Sequence, residues 1–307
     1  MAGEYNLLTI LGPTAGGKTA VAARMAYLLE GEVISADSRQ VYRGMDLGTG
    51  KDLDDYVVNG KKIHYHLIDL VDPGYKYNVY EYQRDFISVF YDLQKRNKFP
   101  VLCGGSGMYI EAIVKGYQLI RVPVNEKLRA GLESKTDDEL VTILSSYKTL
   151  HNKTDIDTRK RMIRAIEIEA YYAEHPQAEN DFPDITPLLV GVRFDRKSQR
   201  QRITQRLYQR LDQGMIEEVS QLLEQGTAVE DLLYYGLEYK FITLYLTGKL
   251  TRDEMFKKLE TAIHQFAKRQ MTWFRRMERN GFKIHWLDGY APMHEKTNRI
   301  LKLLNRK

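Results

Sequence analysis

The sequence predicts an α/β protein: a parallel sheet flanked by helices, with an inserted all-helical subdomain. Three observations predict it. Short, almost continuously apolar runs alternate with longer helix-periodic segments, a glycine-rich turn separates the first run from the first helix, and the stretch 124–186 is charged and strand-poor.

Leu7–Leu11 reads as the first strand and Thr19–Leu29, free of Pro and Gly, as the helix after the turn. Further strands are expected at Val33–Ser35, His66–Leu70 and Val101–Cys103, whose apolar character suits burial on both faces. Between the last two, Tyr80, Tyr82, Phe86, Phe90 and Leu93 recur at helical spacing across Val79–Asn97. After the insertion Pro187–Val192 resumes the sheet, and basic amphipathic helices span Gln199–Leu223 with a break near Gly214. Helices at Phe241–Leu246 and Arg252–Arg279 and a strand at Lys283–Leu287 complete the chain. The expected division is a catalytic core of residues 1–123 and 187–307 around an insertion, 124–186, that exits through an acidic, proline-containing segment, Pro176–Pro187.

At 307 residues the chain is long enough for one large domain with an insertion. Its 43% hydrophobic and 28% charged residues exclude a collagen-like, disordered or disulfide-stapled protein. No run approaches the roughly 20 apolar residues of a membrane span. The start Met1-Ala2-Gly3-Glu4-Tyr5 lacks the basic opening of a signal peptide, so a cytoplasmic location without membrane attachment is expected. A single cysteine, Cys103, allows no internal disulfide and no multi-cysteine zinc site, which leaves oxygen ligands for any metal. The net charge of +5 is unevenly spread: residues 193–307 carry 23 Lys and Arg against 14 Asp and Glu. Such a basic third fits a phosphate-rich partner, since basic patches attract nucleic acid by releasing its counterions, and it equally fits solvated helix faces.

Gly12-Pro13-Thr14-Ala15-Gly16-Gly17-Lys18-Thr19 fits G-x-x-x-x-G-K-[ST] between a strand and a helix, which makes the expected sheet P-loop NTPase-like. The glycines let backbone N–H groups turn inward, the helix N-terminus adds positive potential, Lys18 reaches phosphate oxygens, and the Thr19 hydroxyl can ligate Mg²⁺. This loop specifies a di- or triphosphate and leaves the reaction open. Asp37-Ser38-Arg39-Gln40 follows a strand at its carboxyl end, where open α/β sheets place ligands; Asp37 can act there as a base, or with Ser38 simply build a cap or turn. Gly104-Gly105-Ser106-Gly107 offers a second flexible cradle with a hydroxyl, or a bare turn. Arg159-Lys160-Arg161-Met162-Ile163-Arg164 places Arg161 and Arg164 on neighbouring helical turns, for phosphate contact or for solvent. Lys268-Arg269-Gln270-Met271-Thr272-Trp273-Phe274-Arg275 mixes cations, an amide and aromatics on one helix, which suits phosphate contact and base stacking or a helix whose Trp273 and Phe274 are core.

Together these motifs resemble the tRNA dimethylallyltransferase, or tRNA isopentenyltransferase, family. The matching pieces are GPTAGGKT at 12–19, ADSRQVYRGMDLGT at 36–49, HLIDLVDP at 66–73, GGSGMY at 104–109, RAIEI at 164–168 and KRQMTWFR at 268–275, in family order over nearly the whole chain. The resemblance implies a fold related to P-loop kinases, with a helical insertion that grips the anticodon stem-loop of tRNA. It also implies that the loop holds the diphosphate of dimethylallyl diphosphate while the dimethylallyl group moves to N6 of the adenosine immediately 3′ of the anticodon. By resemblance, residues Gly12, Pro13, Thr14, Ala15, Gly16, Gly17, Lys18 and Thr19, with Lys240, bind the diphosphate, and Thr19 holds Mg²⁺. Asp37 is then the base that removes the N6 proton, a removal needed because the amine lone pair is delocalised into adenine; Lys18, Thr19, Ser106 and Lys240 complete the catalytic set. Asp37, Ser38, Arg39, Gln40 and Ser106 would meet a flipped adenosine. Arg159, Lys160, Arg161, Arg164, Lys268, Arg269, Gln270, Trp273 and Arg275 would hold the RNA against a monomer.

Three positions depart from the family pattern. Ser106 stands where Thr is common and keeps the hydroxyl; Glu238, in Gly236-Leu237-Glu238-Tyr239-Lys240, stands where glycine precedes Tyr-[Lys/Arg]; and Asp155-Ile156-Asp157-Thr158-Arg159 replaces N-D-x-R. The Glu238 carboxylate would either repel a diphosphate or pair with a nearby base. Two competing readings stay open. A P-loop kinase of a small molecule or nucleotide explains the loop but leaves the basic C-terminal third without a task. A catalytically impaired tRNA-binding paralogue is motivated by Glu238 and opposed by intact Lys18, Thr19 and Asp37.

Overall fold

The computed structural model describes residues 4–149, 156–175 and 182–305. The chain divides into two units, Met1–Tyr117 with Pro183–Lys307, and Gln118–Phe182. Asp155 and the first part of the expected Pro176–Pro187 exit lie outside the described residues.

In the first unit, buried apolar strands form a six-stranded parallel sheet: β1 (Leu7–Leu11), β2 (Glu32–Ala36), β5 (Tyr65–His66), β6 (Pro100–Gly104), β7 (Pro187–Arg193) and β8 (Ile284–Asp288), in the order β5-β2-β6-β1-β7-β8. A two-stranded antiparallel hairpin, β3 (Val57–Val58) with β4 (Lys61–Lys62), stands apart. Every residue of β1 is buried. The chain lays β2 and β6 on one side of β1 and β7 and β8 on the other, so the strand order reverses at β1 and a crevice opens at its carboxyl end. Close packing there demands small residues: a Cβ on Gly104 would lie 2.1 Å from the Ala36 carbonyl oxygen.

Helices α1 (Lys18–Leu28), α2 (Val79–Lys95) and α3 (Gly107–Val114) connect the first strands. The second unit supplies α4 (Glu126–Glu133), α5 (Asp137–Tyr147) and α6 (Arg159–Glu174). After β7 come α7 (Arg196–Asp212), α8 (Met215–Glu224), α9 (Val229–Tyr234), α10 (Leu237–Leu246), α11 (Arg252–Arg279) and, after β8, α12 (Met293–Leu303). In α11 the buried residues Met255, Leu259, Ile263, Ala267, Gln270, Phe274 and Met277 recur every three or four positions, the stripe of a helix with one face in the core. A capping box, Thr251 with Glu254, starts it. No helix among the described residues is long and apolar enough to cross a membrane.

Three local readings are corrected. The strand expected at His66–Leu70 ends at His66, because Leu67 and Asp69 take φ of +61° and +57°, where a ladder cannot continue. Asp69 instead donates its N–H to the Gln40 carbonyl and receives the Lys51 ammonium on its carboxylate. Gly104–Gly107 is more than a flexible turn, since Gly107 opens α3. Finally α12, absent from the sequence reading, places Ile300 in the core cluster that also holds Val21 and Met25 of α1.

The second unit has its own core of Leu132, Leu140, Leu144, Met162, Ile163 and Ile166. Its arginines are largely spent internally. Arg159 donates to the carbonyls of Leu132, Glu133 and Lys135, at and just beyond the end of α4. Arg164 pairs with Glu167 and donates to the Val122 carbonyl. Glu167 is buried, and although burial opposes it, Arg129, the Asn125 N–H and Arg164 hold its carboxyl at about 2. Lys160 and Arg161 are exposed, the latter bonded to Asp157 at 2.9 Å.

The short edge strand β5 is tied to its neighbour by Glu32, which accepts from Arg96 at 2.6 and 2.9 Å and pairs with His66 at 2.7 Å. The Arg96 guanidinium and then His66 pull this carboxyl down to about 2 against its burial. A carboxylate so depressed stabilises the fold above its ordinary pKa, and that contribution is lost as pH falls from the usual carboxylate range through about 2. Glu32→Gln should cost about 1–2 kcal/mol at neutral pH, less than a fully buried pair because Arg96 is 39% exposed, and the gap to wild type should close on acidification; urea melts across pH check both.

Candidate functional site

The carboxyl end of β1 turns into the phosphate loop through Gly12, whose φ of +146° and lack of a Cβ let it pass the Val192 carbonyl oxygen, 2.4 Å from where a Cβ would sit. Gly17, left-handed at φ 73°, caps α1, so the loop ends with the free N–H groups of a helix start. Lys18 folds back and donates to the Pro13 carbonyl at 2.8 Å. Burial brings its pKa down to about 8.

Side chains from two distant helices hold this loop. Thr14 donates its N–H to Gln270 Oε1 at 2.8 Å, and Gln270 Nε2 in turn donates to the Gly105 carbonyl at 2.9 Å. From α7, Gln199 donates to the Thr14 carbonyl at 2.5 Å, Arg202 to the Ala15 carbonyl at 3.1 Å, and Arg206 to the Thr14 hydroxyl at 2.5 Å. Arg206 is half-buried, and loss of hydration with the neighbouring Arg210 lowers its pKa to about 10, so it stays cationic at neutral pH. Asp52 stands between the two, 2.9 Å from Arg210 and 3.6 Å from Arg206. The sequence reading missed Arg202, Arg206 and Arg210; their spacing of four put them on one face of a helix described only as basic and amphipathic.

At the end of β2, Asp37 Oδ1 accepts the Arg39 N–H at 2.9 Å and fixes the turn. Ser106 Oγ accepts the Ser38 N–H at 3.0 Å, joining this turn to the start of α3. Gln40 is held at both ends: its Oε1 accepts from Ser35 Oγ at 2.8 Å and its Nε2 donates to the Gly50 carbonyl at 2.9 Å. The phosphate loop, Asp37, Gln40 and Ser106 all open on one cleft of about 1180 Å³.

The α11 motif separates into distinct parts. Trp273 lines the cleft, packs so closely on Gly107 that a Cβ there would be 2.4 Å from its ring, and carries the Arg276 guanidinium 3.9 Å from its ring centroid. Phe274 is core. Gln270, expected at the RNA, has both ends of its amide engaged between the phosphate loop and Gly105. Lys268, Arg269 and Arg275 are exposed, and Arg269 lines the cleft.

Lys240, expected at the diphosphate, is exposed, with its ammonium 5.7 Å from the Phe241 ring centroid. Residues two apart on a helix face roughly opposite ways, so it is Glu238 that α10 turns to the cleft. Burial raises the Glu238 carboxyl, while Arg210 and Arg206 counter that rise. Among the described residues no group of three or more His, Cys, Asp or Glu could hold a metal. Thr19 lines the cleft, so a divalent ion there would take one protein hydroxyl and draw its other ligands from phosphate oxygens and water, the habit of Mg²⁺.

Lys18 titrating near pH 8 predicts that its share of anion binding is present below that pH and lost above it. Calorimetry with inorganic diphosphate should show wild type binding roughly 10–100-fold more tightly than Lys18→Met at pH 7, the ratio shrinking toward one by pH 9.5.

Residues 40–277 match the family described as IPP transferase. The chain is 62% identical over 301 residues to tRNA dimethylallyltransferase 2 of Bacteroides fragilis, with 98% of each covered. It is 59% identical over 302 residues to tRNA dimethylallyltransferase 1 of Parabacteroides distasonis, again with 98% of each covered. Among solved structures, it is similar to the full-length tRNA isopentenylpyrophosphate transferase from Bacillus halodurans, with TM-score 0.69 and 29% identity over 98% of this chain and 97% of that one. A eukaryotic dimethylallyltransferase acting on tRNA shares the fold, with TM-score 0.78 at 22% identity over 98% of this chain and 80% of that one.

Proposed function

The chain belongs to the IPP transferase family, and from that premise we propose how its cleft prenylates tRNA. It is a prenyltransferase acting on tRNA. The observation that carries the finer reading is that an anion cradle and a carboxylate turn open on the same cleft, from the ends of β1 and β2. The donor is dimethylallyl diphosphate, its diphosphate on the loop N–H groups, Lys18 and Arg206. The acceptor is N6 of the adenosine immediately 3′ of the anticodon, flipped out of its stack to reach Asp37.

As the allylic carbon–oxygen bond breaks, negative charge grows on the diphosphate, and Lys18, Arg206 and the start of α1 are already in place to meet it. N6 forms the new carbon–nitrogen bond and gives its proton to Asp37. Ser106 and Gln40, each fixed by hydrogen bonds, set the adenosine beside Asp37. The family needs a divalent ion, for which we assign Mg²⁺ at Thr19; when bound it neutralises leaving-group charge. Lys268, Arg269 and Arg275 on α11 and Lys160 and Arg161 on α6 hold the RNA backbone of the anticodon stem-loop, and one chain suffices. The relatives' names do not favour a small-molecule kinase.

Unmodified tRNA incubated with the protein, Mg²⁺ and dimethylallyl diphosphate should yield a prenylated adenosine by nucleoside mass spectrometry, and none when ATP replaces the donor. Asp37→Ala should abolish that product while tRNA affinity stays within a few-fold; surviving turnover would remove Asp37 as the base. Lys268→Ala should weaken tRNA binding and flatten its salt dependence by about one unit of slope, measured by titration over a salt series.

A further inference from the structure

Three successive backbone N–H groups converge on one carboxylate from a distant helix. Asp46 and Leu47 donate to Glu218 Oε2 at 2.9 and 2.7 Å, and Gly48 donates to Oε1 at 3.1 Å. The hydroxyl of buried Tyr239 donates to the same Oε1 at 2.6 Å, and its ring packs on Gly48, 2.6 Å from where a Cβ would stand. Glu218 sits in the first turn of α8 and Tyr239 on α10, both behind the segment 46–52, whose front lines the cleft.

The far end of that segment touches both halves of the site. The Gly50 carbonyl anchors Gln40, and Asp52 sits between Arg206 and Arg210. The Asp52 carboxylate offsets the repulsion between these two guanidiniums, one of which, Arg206, donates to the Thr14 hydroxyl. Lys51 adds a second tie, bonding Asp46 at 2.5 Å and the Tyr42 carbonyl at 2.9 Å.

We propose that Glu218 is a positioning residue: its carboxylate, seated on the Asp46–Gly48 amides and steadied by Tyr239, sets the segment that aims Arg206 at the donor diphosphate and Gln40 at the acceptor nucleotide. This rests on the reading of the cleft given above. Its logic is preorganisation, since small displacements of groups that contact reacting parts carry large kinetic penalties.

The test uses the full chain with Glu218→Ala, Glu218→Gln and Tyr239→Phe. Glu218→Ala should weaken inorganic diphosphate binding roughly tenfold by calorimetry, raise KM for both dimethylallyl diphosphate and tRNA, and lower kcat by roughly tenfold or more, because Arg206 meets charge that grows only as the bond breaks. Glu218→Gln keeps one acceptor oxygen and should restore part of these losses; Tyr239→Phe should move the same constants less far. Unchanged diphosphate affinity and unchanged KM values, with only a lowered Tm, would overturn the proposal and leave Glu218 a packing residue. If Glu218→Ala fails to fold, the two milder variants decide the matter on the same constants. If wild type prenylates no tRNA, the proposed reaction falls, while the effect of the variants on diphosphate binding still decides the clamp.

Discussion

Thr14 is the point on which the cleft depends. Its N–H, carbonyl and hydroxyl are all taken by side chains of other elements: Gln270 from α11, and Gln199 and Arg206 from α7. The loop N–H groups beyond that of Thr14 must stay open to an anion and cannot also be satisfied internally, so the loop needs support from elsewhere. Here the loop is held open from behind. Each bond contributes only about 1 kcal/mol net, yet breaking one strands a poorly hydrated partner at greater cost. The anion site is therefore a product of tertiary structure, assembled when helices that follow β7 close over a loop that follows β1.

The same closure sets the electrostatics. Lys18 and Arg206, both half-buried, are pulled below their ordinary pKa chiefly by partial loss of hydration. A diphosphate returns that interaction, whereas a neutral ligand would not. In this way folding prepares a site that favours a highly charged anion over a neutral ligand. Asp52 keeps the arrangement stable before an anion binds, by dividing the repulsion between Arg206 and Arg210.

The strands buried on both faces were legible because burial writes continuous apolar runs, and the phosphate loop because its backbone geometry demands glycine at fixed offsets. Where one residue's orientation decided the matter, sequence failed. HLIDL is apolar enough for a strand, but Leu67 and Asp69 are left-handed, a property that no hydropathy pattern records. Gln270 sits among cations on an apparent RNA face, yet its helical phase turns it inward to the loop. Arg159 and Arg164 belong to a segment that reads equally as phosphate contact or solvated face, and the structure bonds Arg159 to helix-end carbonyls and Arg164 to the Val122 carbonyl and Glu167. Arg206 needed only the spacing of four to be noticed, but its purpose needed Thr14 beside it.

Glu238 shows how a departure from a family pattern is resolved by its surroundings. In isolation a carboxyl group beside a diphosphate site is a liability, because like charges at close range in a poorly hydrated cleft repel strongly. Burial, however, raises this carboxyl, and the guanidiniums of Arg210 and Arg206 counter that rise by standing close enough to pair with its charge. Helical phase completes the exchange: the turn that brings Glu238 to the cleft carries Lys240 to the exposed side of α10. On α7, three arginines one turn apart face the loop and Asp52 and supply positive potential beside the cleft.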